Sequence, residues 1–159
     1  MTGVVVVQAG QSLPENQWNL DITAHNKKLY RGLVGNVSPV IGTDAFAPLF
    51  ATLCEDSRYL GYRLSGRYQE GLSEGFYRDL ELTAAAGKSV DFLVDKYSLE
   101  DVDAIAKRVP RLRIMLDHLG NLRITGDPLD PKWVDDFSSA AKNPNVYCKV
   151  SALYGRVEK

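Results

Sequence analysis

A chain of 159 residues with 45% apolar and 25% charged side chains has the balance of one globular domain, which excludes a disordered tail, a fibrous repeat or a disulfide scaffold. Its 19 basic residues nearly cancel its 20 acidic ones, and a net charge of −1 provides no basic field for nucleic acid. The longest apolar run, Val4-Val5-Val6-Val7, is far short of the roughly 18 residues of a membrane span, and no signal-peptide pattern is visible. The expectation is a cytoplasmic α/β domain over residues 1–159, with Cys54 and Cys148 as free thiols.

Six short apolar runs alternate with helical stretches. The strands are expected at residues 4–9, 32–37, 59–64, 90–94, 112–116 and 146–150. Most are near-continuous Val, Ile and Leu, the pattern of a parallel sheet covered by helices. A first helix over 14–29 lines up Trp18, Ile22, His25 and Leu29 as an inward stripe, which makes His25 a core or half-buried residue. Thr43 reads as the N-cap of a second, with Phe46, Leu49, Phe50 and Leu53 inward and Pro48 delaying its start. A third runs over 73–86 and stops at Gly87. A fourth opens with the capping pair Ser98 and Asp101, buries Leu99, Val102, Ile105 and Ala106, and ends at Pro110. A fifth has Asp130 as N-cap and Pro131 at its first position, with Val134, Phe137 and Ala141 inward.

Strand-helix alternation implies βαβ units with right-handed crossovers. Two architectures fit: a six-stranded doubly wound sheet, or an incomplete (β/α)8 TIM-barrel-like arc of six parallel strands and five intervening helices. Both place a site at the carboxyl ends of the strands. Those ends carry Gln8, Asn36, Arg63, Asp95, Asp117 with His118, and Lys149 with Ser151. No dinucleotide fingerprint, phosphate loop, zinc-protease helix or nucleophile elbow is present.

The sharpest local feature is Ile114-Met115-Leu116-Asp117-His118-Leu119-Gly120, an apolar strand ending in Asp-His with a glycine to turn the backbone. An imidazole there suits metal ligation or general base work, and the adjacent Asp117 carboxylate raises its basicity. A structural histidine held by a backbone carbonyl fits the same residues, and one histidine is no metal site. Arg63 with Arg67 suits a bidentate hold on a carboxylate, or an ion pair with a neighbouring strand. Lys149, inside a strand, has to reach a carboxylate, the site or solvent.

The stretches VVVVQAG, PENQW, RGLVGNV, LGYRLSG, VPRLRIMLDHLGN and NPNVYCKVSAL follow one another from about residue 4 to residue 153. In this order and spacing the sequence resembles the amidohydrolase-related family of barrel hydrolases, in the branch of sugar lactonases and 2-pyrone-4,6-dicarboxylate lactonase. The resemblance implies a fragment running from the second to the seventh barrel strand. It implies a metal-site or catalytic role for His118 with Asp117 beside it. It further implies substrate binding by Arg63 and Arg67, with Gln8 and Lys149 at recurring strand-end positions. The family's His-x-His pair and its eighth-strand Asp are absent from these residues. The implied reaction is hydrolysis of a lactone or similar cyclic ester of a polar or anionic small molecule, with a divalent ion such as Zn or Mn as the implied cofactor. This chain by itself is expected to have little or no activity. The alternative is a non-catalytic truncated barrel acting as an interaction module, self-associating through open sheet edges. The hydrolase reading requires Arg63 and His118 to face one shared cavity.

Overall fold

The protein is described here from a computed structural model covering residues 2–64, 72–94 and 97–157. Its strands are β1 (Val4–Val7), β2 (Tyr30–Asn36), β3 (Tyr59–Leu64), β4 (Ser89–Phe92), β5 (Arg113–Leu116) and β6 (Val146–Cys148). They form one sheet in the order of the chain, and every neighbouring pair is parallel. Strand order never reverses, so there is no topological switch point and the doubly wound alternative falls. What remains is an arc of a (β/α) barrel.

Between the strands lie α1 (Leu13–Thr23), α2 (Phe46–Cys54), α3 (Glu74–Ala85), α4 (Leu99–Arg108) and a last helix, Pro131–Ala141. Successive right-handed crossovers in one direction put these helices on a single face of the sheet. The core fills the space between that face and the helices. Phe46, Phe50, Tyr59 and Tyr62 form one aromatic cluster with ring centroids 5.1–6.4 Å apart, and Phe76, Phe92 and Tyr97 form another. Such contacts add roughly 0.5–1.5 kcal/mol per pair to the burial itself. The Tyr62 hydroxyl meets Thr83 Oγ1 at 2.8 Å, so its polar end is satisfied inside the core.

On the opposite face several apolar side chains meet solvent. Along β1 the odd valines, Val5 and Val7, are exposed, as are Leu60 of β3 and Tyr147 of β6. The unbroken apolar runs therefore reflect a barrel whose interior is still open here, rather than a sheet covered on both sides.

Helix capping follows the sequence closely. Ser73 Oγ accepts from Phe76 N, and Ser98 and Asp101 make both bonds of a reciprocal box at 3.0 and 2.9 Å. Asp130 caps the last helix through Lys132 N. Two helix faces differ from expectation. On α1 the buried residues are Asn16, Asn19, Leu20 and Thr23, whereas Trp18 is 58% exposed and Ile22 and His25 also lie in solvent. The reason is hydrogen bonding. Asn16 exchanges two bonds with the Asn36 backbone of β2, and the Arg58 guanidinium reaches Thr23 Oγ1 and Leu20 O. A polar face whose every group finds a partner can be buried like an apolar one. On the last helix Ala140 is buried, Trp133 and Phe137 stack at 4.8 Å, and Val134 and Ala141 face out. At α2 the N-cap is Ala45 rather than Thr43, whose hydroxyl accepts from Ala45 N in the preceding turn.

Gly75, in the first turn of α3, is set by close approach. A Cβ there would sit 2.6 Å from the Gly42 carbonyl oxygen, and Gly42 N is held at 2.7 Å by the buried Asp79 carboxylate of the same helix. In an open helix Gly→Ala gains about 1 kcal/mol. Here backbone cannot yield, so Gly75→Ala is expected to lower the denaturant midpoint; an unchanged or raised midpoint would contradict this packing.

Candidate active site

Arg63 is the fifth residue of β3 and pairs in register with Asp91 of β4, which pairs with Met115 of β5, which pairs with Tyr147 of β6. Residues in register share a face, and so do residues two apart. Asp117, two past Met115, and Lys149, two past Tyr147, therefore join Arg63 and Asp91 on the open face at the carboxyl ends of the strands.

The four side chains interlock. Asp117 is fully buried. Its Oδ2 lies 2.8 Å from Arg63 Nε and its Oδ1 lies 2.9 Å from Lys149 Nζ. The contacts are ionic rather than well-directed hydrogen bonds, since neither carboxylate oxygen has a donor in good alignment. The Lys149 ammonium also donates to Asp91 Oδ2. Two buried carboxylates and two cations thus sum to zero within one cluster. Burial pushes the Asp91 carboxyl up, against the pull of the Lys149 ammonium. For Lys149 burial works against the charge, but Asp91 and Asp117 outweigh it and hold the ammonium above its ordinary value.

Directly after Asp117 the backbone makes a left-handed turn. His118, Leu119, Gly120 and Asn121 have φ of 56°, 55°, 61° and 64°. Each non-glycine residue in this region costs about 1–2 kcal/mol. The surroundings hold the turn in place. Leu119 N donates to Lys149 O, and Gly120 N donates to Asp117 O. A Cβ on Gly120 would press on Leu99 and Phe137. The turn lifts His118 off the strand and sets its Nδ1 2.9 Å from Ser151 Oγ. Ser151 is followed by Ala152, also left-handed at φ 56°. Two strained turns thus meet at one imidazole-hydroxyl pair, and backbone strain of this kind concentrates at functional sites.

Burial lowers the His118 pKa; Asp117 opposes this, while Arg63, Arg156 and Lys149 add to it. Arg156 belongs to the 3-10 turn Leu153–Arg156, tied to the chain by Ile124 N donating to Arg156 O.

The sequence candidates divide as follows. Arg63, Asp117, His118 and Lys149 come together. Gln8 is buried at the end of β1, where its amide nitrogen serves Gly10 O, Ser12 O and the Glu15 carboxylate of its own loop. Asn36 is buried and pairs in register with Arg63, its backbone held by the Asn16 side chain. Arg67 and Asp95 lie outside the described residues. Arg63 contacts the Asp117 carboxylate and His118 follows Asp117 in the chain, so the two lie at the same end of the sheet. A cavity of about 640 Å³ lies beyond the turn, between residues 121–130 and Trp133. Asp91 was missed as a site residue, although a lone acid inside Ser-Val-Asp-Phe was its signal. Arg156 carried none.

As for a metal, no group of three His, Cys, Asp or Glu side chains among the described residues is set to hold one. Asp117, beside His118, and Asp91 already face cations, so the donor set among the described residues does not fit a three-ligand site.

Comparison with known proteins agrees with the fold. The amidohydrolase family model matches residues 1–158. The chain is similar to an L-fucono-1,5-lactonase of Burkholderia ambifaria, 30% identical over 156 residues, covering 94% of this chain and 52% of that protein. It therefore spans about half the length of the curated relative. Among solved structures, an amidohydrolase from Burkholderia multivorans with bound zinc superposes with a TM-score of 0.76 at 20% identity, covering 99% of this chain and 56% of its own. The same organism's amidohydrolase with bound HEPES gives 0.78 at 21%, covering 99% and 57%. A probable 2-pyrone-4,6-dicarboxylic acid hydrolase from Acinetobacter baumannii gives 0.69 at 17%, covering 100% and 58%. These likenesses establish the barrel fold.

The depressed His118 pKa is directly measurable. Histidine ring resonances followed by NMR should titrate with a midpoint below the ordinary ~6.5. A depressed folded value means the unfolded chain binds the proton more readily. The contribution to stability is therefore complete above the ordinary histidine range and lost as pH falls through the folded midpoint. A midpoint above 6.5 would mean Asp117 dominates the local field.

Proposed function

The chain belongs to the amidohydrolase family, and on that footing we propose that it serves the hydrolysis of a lactone or similar cyclic ester of a polar, hydroxylated or anionic small molecule. The observation that carries this reading is the convergence of Arg63, Lys149 and the His118–Ser151 pair at the carboxyl ends of β3, β5 and β6 of one parallel sheet. The lactonase named for the B. ambifaria relative supports the choice of substrate class.

In this reading Arg63 and Lys149 form a cationic floor facing the ester carbonyl or a substrate carboxylate. Asp117 is a positioning residue, because both of its oxygens are spent on holding those cations. His118, neutral near pH 7, handles the proton. Ser151 engages Nδ1 and leaves Nε2 as the ring atom presented to substrate, since the bond made by one ring nitrogen fixes the role of the other. Water adds its hydroxyl to the acyl carbon, the ring C–O bond breaks, and the departing alkoxide oxygen takes up a proton to give the open hydroxy acid.

Binding and turnover are separable. L-fucono-1,5-lactone and its open acid, titrated against the 159-residue chain by NMR, should perturb the Arg63 and His118 signals. Arg63→Met should weaken binding at least ~10-fold, the scale of one charge-assisted contact. Hydrolysis above the spontaneous rate, lost in His118→Ala, would assign the chemistry to this chain; absence of binding by either compound would remove the lactone reading.

A second reading is favoured by the sheet itself. Among the described residues β1 and β6 are both edge strands, and Val5, Val7 and Tyr147 are exposed on them. Edges of this kind invite pairing, and concentration-dependent association in sedimentation experiments, abolished by Val5→Lys, is its expected sign.

A further inference from the structure

We propose that Lys149 and Arg63 supply from within the chain the positive charge that a divalent ion would bring to the barrel-end carboxylates, so that this site is built to function without one. The inference rests on the charge cluster alone and stands or falls independently of lactone turnover.

Hard divalent ions need anionic oxygen, and zinc needs about three protein donors around it. Among the described residues, the carboxylates interlocked at this end of the sheet are Asp91 and Asp117, both almost completely inaccessible. Lys149 Nζ lies between them, donating to Asp91 Oδ2 and 2.9 Å from Asp117 Oδ1. Arg63 Nε takes the remaining Asp117 oxygen at 2.8 Å. An ion drawn to these oxygens would displace an ammonium from the same contact. It would also sit within ~4–6 Å of a guanidinium that cannot lose its proton, inside a weakly screening interior.

The cluster's formal charge is already zero, so no long-range attraction compensates. Nor does deprotonation of Lys149 open the site, because its two acidic neighbours hold the proton on. His118 is the one imidazole at hand, and Ser151 already engages its Nδ1. The arrangement inverts the usual order of metal-site assembly: the counter-ion is covalently part of strand end β6.

The test is metal binding by the purified chain, stripped with EDTA and titrated with ZnCl2 and MnCl2 by calorimetry. The wild type should give no saturable heat, and its metal content after dialysis should stay well below one per chain. In Lys149→Ala the Asp91 and Asp117 carboxylates lose their shared ammonium, and zinc affinity should rise at least ~10-fold. In Lys149→Arg, which keeps the charge, it should not. If Lys149→Ala does not fold, Lys149→Gln removes the charge while retaining a hydrogen-bond donor toward Asp91. A stoichiometric site in the wild type that disappears in Asp117→Asn overturns the proposal. So does a folded, charge-removing variant that gains no affinity.

Discussion

Asp117 is a carboxylate with no exposure to solvent, and an isolated charge in that position would cost many kcal/mol. It exists there because two cations from other strands meet it, one on each oxygen. That requirement reaches far into the fold. Arg63 must be the residue on β3 whose register matches Asp91, and Lys149 must follow β6 by enough to reach over β5. A slip of one residue in any of the three pairings would send a charged side chain into the aromatic core under the helices. Register across four strands is therefore specified twice, by the aromatic packing on one face and by charge compensation on the other.

The same cluster explains why strain is tolerated next to it. Three non-glycine residues in a left-handed turn represent a few kcal/mol of unfavourable backbone energy. The turn is braced at Asp117 O, at Lys149 O and by the Leu99 and Phe137 side chains. Its effect is to point His118 toward Ser151 rather than along the strand. Strand ends that carry catalytic groups in barrels have this problem in common: the strand alternation alone offers one direction per residue, and any other direction has to be imposed by the loop.

Most of the fold was legible in the sequence because it depends on local signals. All six strands occur within about two or three residues of their expected limits, and of the expected caps Ser98 and Asp130 act as caps while Thr43 does not. The failures share one cause. Trp18 and Ile22 read as a core stripe by apolarity, yet Asn16, Asn19 and Thr23 are on the buried face, since Asn16 meets β2 and Thr23 meets Arg58, partners 20 and 35 residues away in sequence and invisible to periodicity. The site divides in the same way. Arg63, Asp117, His118 and Lys149 announced themselves as polar groups ending apolar runs. Asp91 lies one step inside its strand, and only the position of Lys149, 58 residues on, gives it a role.

The open face gives the arc its remaining significance. In a closed barrel the inward side chains of alternate strands pack in layers and wall off the site. In this arc the inward layer holds Val5, Val7, Leu60 and Tyr147 in partial contact with solvent, while the layer above it is charged and internally neutral. The apolar layer gains by being covered, because each such side chain loses roughly 1.5–3 kcal/mol of burial when left in water. The charged layer behaves differently. It is already compensated, so covering it adds little to stability but much to electrostatics, since the fields of Arg63 and Lys149 strengthen as water is excluded. Whatever closes over this face would therefore be held by the lower layer and would act through the upper one.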